Sequence, residues 1–312
     1  MNNETVLNDL APAAEKLLER HMGVAKEWFP HDMVPWSLGR DFVEGEKVEL
    51  PAMDEGVRSA LFVNLLTEDN LPYYFNDIER MFGSDGAWGT WVRRWTAEEG
   101  RHSIVIRDYL TVTRQVDPVA LERGRMAQVS GGVVPHPATV ADGLAYLAMQ
   151  ELATRIAHHN TGKALTDKAG YEIMKRVAAD ENLHYLFYRD IATTCLELDP
   201  SGTVMAIERQ VLGFDMPGTG IPNFTRHARA IARAGIYDMV IHYETILVPL
   251  IRRQWRLTEL EGLDAEASAA VERLERYMAR LAKVTERMKD RAASRGADAE
   301  PSSSERVGAL AG

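Results

Sequence analysis

Residues 180–190, DENLHYLFYRD, put Glu181 and His184 three positions apart in a run whose Leu183, Leu186 and Phe187 read as the inner side of a helix. Three residues is close to one helical turn, so both side chains leave the helix on one face and can converge on one point. A carboxylate and an imidazole converging in an apolar setting suit a metal ion. A lone Glu-x-x-His also reads as a surface glutamate ahead of a core histidine, and composition alone delivers such a pair by chance.

Spacing separates the two readings. A second pair, Glu99 and His102, stands in WTAEEGRHSIVIRDYL, another segment of helical pattern. An isolated glutamate precedes each pair at almost the same interval: Glu68 lies 31 residues before Glu99, and Glu151 lies 30 before Glu181. The chain is internally duplicated, with 83 residues from Glu68 to Glu151 and 82 from His102 to His184. An interval near 30 lets one helix end, a short loop form and the next helix return antiparallel at the same height. Four helices presenting Glu, Glu-x-x-His, Glu and Glu-x-x-His inward make a ferritin-like carboxylate bundle. The fold class predicted is therefore all-α, a ferritin-like di-iron four-helix bundle core elaborated with additional helices. Four carboxylates and two imidazoles without thiolate suit iron or manganese better than structural zinc.

The 312 residues, 46% of them hydrophobic, are enough for one large helical domain or two smaller ones. A net charge of −10 without a long basic run argues against nucleic-acid binding. The single cysteine, Cys195, excludes an internal disulfide framework and fits a reducing compartment. The opening MNNETVLNDLAPAAEKLLERHM reads as neither a signal peptide nor an organellar presequence. No run reaches the length of a membrane span, so no transmembrane segment is predicted, and a cytoplasmic location is the expectation.

Helical patterns cover residues 4–22, 53–82 with a break at Pro72, 87–115, 140–164 and 168–198. QVSGGVVPHPATVADG reads as a crossover loop, with Thr139 or Asp142 as the following cap. Shorter helices follow Pro200, then helices near 223–234 and 238–257. In 264–291, Val271, Leu274, Met278, Leu281 and Met288 recur at helical spacing, which reads as packing or as a short coiled-coil contact. The organisation predicted is a main domain over 1–262, an additional charged amphipathic helix over 263–292 and a disordered tail over 293–312.

The words TEDNLP, RWTAEEGRH, MQELATRIAHHNTGKA, AADENLH and DPSGTV, in this order and spacing, resemble the soluble acyl-carrier-protein desaturases of the stearoyl type and their actinobacterial relatives, over about residues 15–258. The resemblance implies that Glu68, Glu99, His102, Glu151, Glu181 and His184 hold two irons, with Glu99 and Glu181 bridging. It implies O2 as co-substrate, an acyl group on acyl carrier protein as substrate, a ferredoxin-type electron donor and a homodimer. Thr154 matches the family's threonine beside the oxygen-binding face, and reads equally as a helical threonine bonded to its own backbone. Asp180 matches a carboxylate that fixes His102, and Trp28 a surface tryptophan, which implies an electron path Trp28, Asp180, His102, iron. Arg226, Arg229 and Arg233 on one helical face, Arg252, Arg253 and Arg256 on another, and Lys26 beside Trp28 are candidates for docking acidic partners, or plain solvated charge. The chain departs from the plant members in Gly100, in about seven fewer residues between Glu68 and His102, and in its charged C-terminal helix.

Two other readings remain open on residues alone. A ribonucleotide-reductase-like small subunit would need a tyrosine at the metal, for which Tyr185 and Tyr188 are available. A ferritin-like iron store would use related ligands on a barer bundle.

Overall fold

Short polar side chains set the helix starts, because each can accept from backbone N–H groups that the first turn leaves unpaired. In the computed structural model, which describes residues 2–43, 46, 49–132, 134–215, 218 and 220–299, Asn2 starts α1 (Asn3–Val24). After a short α2 (Pro30–Met33), Asp54 caps α3 (Glu55–Glu68). The chain breaks at Asp69 and Asn70 and resumes as α4 (Leu71–Phe82), with Pro72 in the first turn, where its missing N–H costs nothing. The long α5 (Gly86–Val112) follows. Asp117 and Pro118 then start α6 (Pro118–Gly131), Thr139 caps α7 (Val140–Ala164), and Asp167 caps α8 (Lys168–Leu198).

Beyond the long helices come α9 (Pro200–Leu212), α10 (Phe224–Arg233), α11 (Met239–Ile241) and α12 (Ala265–Ala299). Between α11 and α12 the chain forms a π-helical segment, His242–Gln254, rather than the α-helix expected to run to 257. Pro249 accounts for the difference. In an α-helix its ring would meet the carbonyl four residues back, and the wider turn relieves that clash. The Trp255 N–H accordingly bonds Leu250 O, five residues back, at 2.8 Å. Among the described residues there is no strand.

Helices α3, α5, α8 and α7 pack in that cyclic order and close a four-helix bundle, with α7 and α8 in the most extensive contact. α1 lies across α5 and α8, α4 covers α5 and α7, α10 packs on α3, and α12 packs on α9. The interior has two large apolar layers, with a small third cluster of Val63, Leu66 and Ile221 beside α3. One layer gathers Trp88 to Trp95, Val140 to Ala153 and Tyr185 to Leu196; the other gathers Val57 to Leu65, Val105 to Val116 and Ile173 to Val177. The stretches between them, 98–102 and 180–184, carry the polar side chains, so the bundle sandwiches a charged layer between two dry ones.

Two sequence expectations change. The stretch from Gln128, read as the start of a crossover loop, is helical as far as Gly131, because it is the last turn of α6, a helix that Asp117 and Pro118 start. At the other end, α12 continues to Ala299, seven residues into the expected tail, through a stretch in which Ala293, Ala297 and Ala299 recur; residues 300–312 lie outside the described residues. The apolar stripe of α12 is packed against the protein, with Ala267, Ala270, Leu274 and Met278 buried in the first apolar layer. Among the described residues no helix is long and apolar enough to cross a membrane.

Candidate metal centre

Each helix of the bundle delivers its ligand candidates to the charged layer: Glu68 at the end of α3, Glu99 and His102 on α5, Glu151 on α7, and Glu181 and His184 on α8. All six are buried. They form two groups, Glu68, Glu99, His102 and Glu181, and Glu99, Glu151, Glu181 and His184, in each of which one atom per residue lies within 4.8 Å of the others. Glu99 and Glu181 belong to both, so these two carboxylates stand between the two groups.

The imidazoles are oriented alike. Nδ1 of His102 faces Glu99 Oε2 at 3.2 Å and Glu181 Oε1 at 3.5 Å, while Nδ1 of His184 faces Glu99 Oε1 at 2.8 Å and Glu151 Oε2 at 3.6 Å. Each Nε2 turns outward to a further carboxylate. His102 Nε2 lies 3.4 Å from Asp180 Oδ2, and His184 Nε2 lies 3.0 Å from Glu98 Oε2. A carboxylate at Nε2 fixes the proton there and leaves the Nδ1 lone pair for a metal.

Charge in the cluster is unevenly divided. Burial, reinforced by the Glu99 carboxylate, pushes Glu68 up to about 8, and burial with the surrounding carboxylates drives Glu151 well above the usual range. Burial would raise Glu99 and Glu181 as well, but the neighbouring histidines more than offset it and hold both low. Burial disfavours charge on His102 and His184, yet Glu99 and the other carboxylates raise both well above their ordinary value. His184 Nδ1 and Glu151 Oε2, both buried, lack an aligned hydrogen-bond partner. Orphaned donor atoms of this kind are costly in a core and are satisfied by a cation. The residues present therefore fit a pair of divalent ions.

Around the six stand residues that the sequence reading passed over. Trp95 Nε1 donates to Glu151 Oε1 at 3.0 Å, and His158 lies between Glu68 Oε1 at 3.2 Å and Glu181 Oε1 at 3.5 Å. Burial opposes charge on His158, but Glu181 and Glu68 raise it to about 9. Glu98, beside ligand candidate Glu99, reaches His184 and also His21 of α1, whose Nε2 is 2.9 Å from Glu98 Oε2. The duplication held the signal: Asp180 before Glu181 has its counterpart in Glu98 before Glu99.

The remaining site candidates are distributed as follows. Trp28 Nε1 donates to Asp180 Oδ2 at 2.8 Å, so Trp28, Asp180 and His102 form one connected series. Hydrogen bonds from Trp28 and the His102 ring outweigh burial and hold Asp180 down to about 2. The Thr154 hydroxyl donates to its own helix, at Gln150 O and Glu151 O. Tyr188 is buried against Trp91 and Phe187, and Tyr185 lies under Arg189. Arg226, Arg229 and Arg233 are all exposed on α10, where Arg226 pairs with Glu55 at 3.0 Å. Arg252 and Arg253 lie at the end of the π-helical segment and Arg256 just beyond it, with Arg252 paired to Glu275 and Arg256 to Glu259. That segment packs on α7 and α12 whereas α10 packs on α3, and Lys26 is exposed near Trp28.

The comparisons with known proteins agree with this architecture. The family described as fatty acid desaturase matches residues 2–305. A Mycobacterium tuberculosis protein named as the acyl-carrier-protein desaturase DesA1 is 41% identical over 84% of this chain and 81% of its own. The chloroplastic acyl-carrier-protein desaturase 7 of Oryza sativa is 34% identical over 94% of this chain and 77% of its own. The X-ray structure of M. tuberculosis DesA2 superposes with a TM-score of 0.69 at 26% identity, over 85% of this chain and 99% of that one. With a family match spanning nearly the whole sequence, a close relative aligned over most of both chains, and a bundle of the same fold, this chain belongs to the fatty acid desaturase family.

Proposed function

We propose that the protein is an acyl-carrier-protein desaturase, which sets a cis double bond into a saturated long-chain acyl group carried on acyl carrier protein. The observation that carries this reading is the pair of buried ligand groups sharing Glu99 and Glu181, in a chain whose relatives are named for that reaction. Glu68, Glu99, His102, Glu151, Glu181 and His184 would hold two irons, with O2 as co-substrate. Two electrons and two protons balance the reaction, so that two hydrogens of the acyl chain and one O2 leave as two waters. When bound, the iron pair would activate O2 and so bring to an unactivated methylene an oxidising power that no side chain has.

The chain's own residues supply the rest. The two apolar layers keep bulk water from the charged layer. Trp28, Asp180 and His102 connect the surface side of α2 to one half of the centre, as an inlet for electrons from a ferredoxin-type donor, with Lys26 at its rim. Thr154 is at most a neighbour of the oxygen face, since its hydroxyl bonds its own backbone. For the carrier, the better of the two basic groups is α10. An apolar groove of about 460 Å³, lined by Phe62, Leu110, Val116 and Ala120, opens beside Arg226 and His227. An acidic carrier held by Arg226, Arg229 and Arg233 would bring its acyl chain to that lip. Arg252, Arg253 and Arg256 form the second candidate surface. A cytoplasmic homodimer completes the reading.

The test supplies the iron-loaded protein with reduced ferredoxin, O2 and saturated acyl chains of 14 to 24 carbons on carrier protein, and analyses the chains by mass spectrometry. Loss of two hydrogens at one position is expected, with carrier-bound chains preferred over coenzyme A esters. Absence of turnover in protein shown to hold both irons would remove the reading and leave storage or binding.

A further inference from the structure

The two histidines of the centre are held from outside by the same device, built twice. Asp180, the residue before Glu181, reaches from α8 across to His102 on α5; Glu98, the residue before Glu99, reaches from α5 across to His184 on α8. In each carboxylate one oxygen is shared between two aromatic N–H groups: Asp180 Oδ2 takes Trp28 and His102, and Glu98 Oε2 takes His21 and His184. The outer ring stacks over the inner one in both halves. Trp28 and His102 have centroids 6.4 Å apart with planes at 12°, and His21 and His184 have centroids 6.0 Å apart with planes at 23°. Arg101 lies between the halves, 2.9 Å from Asp180 Oδ2 and 3.6 Å from Glu98 Oε1. Neither outer ring comes from the four bundle helices. His21 is in the last turn of α1 and Trp28 follows seven residues later, so one N-terminal segment closes both ends of the centre.

His21 is not explained by helix or core needs. It is 4% exposed, surrounded by Trp91 and His184, and its Nδ1 has no hydrogen-bond partner. A buried imidazole with an orphaned nitrogen costs stability that a leucine would not. What it gains is the contact to Glu98.

We propose that His21 is the positioning residue of the His184 half. Acting through Glu98, it fixes the ring plane and tautomer of His184, as Trp28 acts through Asp180 on His102. The proposal rests on the two-iron reading above. It also assigns a difference between the halves: the outer ring that shares the carboxylate is an indole on the His102 side and an imidazole on the His184 side, so the two iron positions are inequivalent.

The test uses the full-length protein loaded with ⁵⁷Fe, read by Mössbauer spectroscopy and by the rate at which a chelator strips the metal. His21→Phe keeps an aromatic ring but removes the donor. It should still bind two irons per chain, change one of the two iron environments and leave the other as in the wild type, and release one ion about ten-fold faster, the low end for a lost outer hydrogen bond. His21→Gln, which offers an amide N–H near the place of Nε2, should restore both readouts. If H21F does not fold, Glu98→Gln carries the same expectation. Two unchanged environments in H21F, an equal change in both, or a glutamine no better than phenylalanine would each overturn the proposal. A merely structural histidine would lower the melting temperature without singling out one iron. Failure of the wild type itself to bind iron would instead overturn the metal reading, before any variant is made.

Discussion

The Trp95 indole N–H donates to Glu151 Oε1 across 3.0 Å, and both side chains are buried between the apolar layers. Burial and the other carboxylates favour the protonated form of Glu151 when no cation is present, so a neutral amide closely imitates the metal-free side chain. Glu151→Gln should leave the melting temperature of the metal-free protein nearly unchanged, within about 1 kcal/mol, because the Trp95 bond survives. Its iron content should fall well below two per chain, measured by elemental analysis after anaerobic loading. Full iron content in this variant would remove Glu151 from the ligand set.

Gly56 sits where α3 meets α10. A Cβ there would stand 2.4 Å from Ala234 Cβ and 2.5 Å from Ala230 O, and backbone cannot step aside as a flexible side chain can. Gly56→Ala should cost about 1–3 kcal/mol, typical of overpacking. It should also push α10 and its arginines outward. A lowered melting temperature with weaker carrier binding and normal iron content is the expected combination.

The exposed charges of α10 give a third expectation. Reversing Arg229 and Arg233 to glutamate should weaken binding of the acyl carrier by roughly ten-fold, a total drawn from about 1 kcal/mol or less per exposed pair, and should reduce the dependence of affinity on salt. The double variant Arg252→Glu with Arg253→Glu tests the other surface in the same titration. Affinity indifferent to α10 but lost in the second variant would move the docking site.

His242, in the π-helical segment, is buried next to Phe214, with the Tyr237 hydroxyl 2.9 Å from its Nδ1. Burial lowers its pKa to about 4 from the ordinary 6.5. The fold therefore accepts the neutral ring, and the unfolded chain takes up a proton first on acidification. Stability is fully present above about pH 6.5 and declines as pH falls towards 4, by at most about 3 kcal/mol from this group. The melting temperatures of wild type and His242→Asn, followed from pH 7.5 to 4.5, should converge as the pH falls. A difference that stays constant would show that His242 does not titrate in this way.

The helices that bear the site were legible because their limits are written in local chemistry. Residues 140–164 and 168–198 read from the pattern coincide with α7 and α8, and Thr139 is the cap. The six ligand candidates were legible because the chain repeats itself, and the structure brings all six into one layer. Contacts between distant segments were harder. His21 and Glu98 are 77 residues apart, as are parts of the bundle that only packing brings together, and Glu98 beside Glu99 looks like the solvated member of an acidic pair. His158 was similarly hidden in a helix read only for Glu151 and Thr154. The π-helical turn depends on how one proline is accommodated, which hydrophobic periodicity does not report.

Five of the six ligand candidates stand within helices, but Glu68 is the last residue of α3, and two residues, Asp69 and Asn70, separate it from the start of α4 at Leu71. Arg107 tethers that corner through Asp69 at 2.5 Å without enclosing Glu68 itself. A centre that must take ions of different radius, or change ionic radius as its oxidation state changes, has to absorb the mismatch somewhere. Backbone at a helix end yields more cheaply than backbone within one. With two ions bound, the adjustment would fall on the Glu68 carboxylate, while the other five candidates stay anchored within helices.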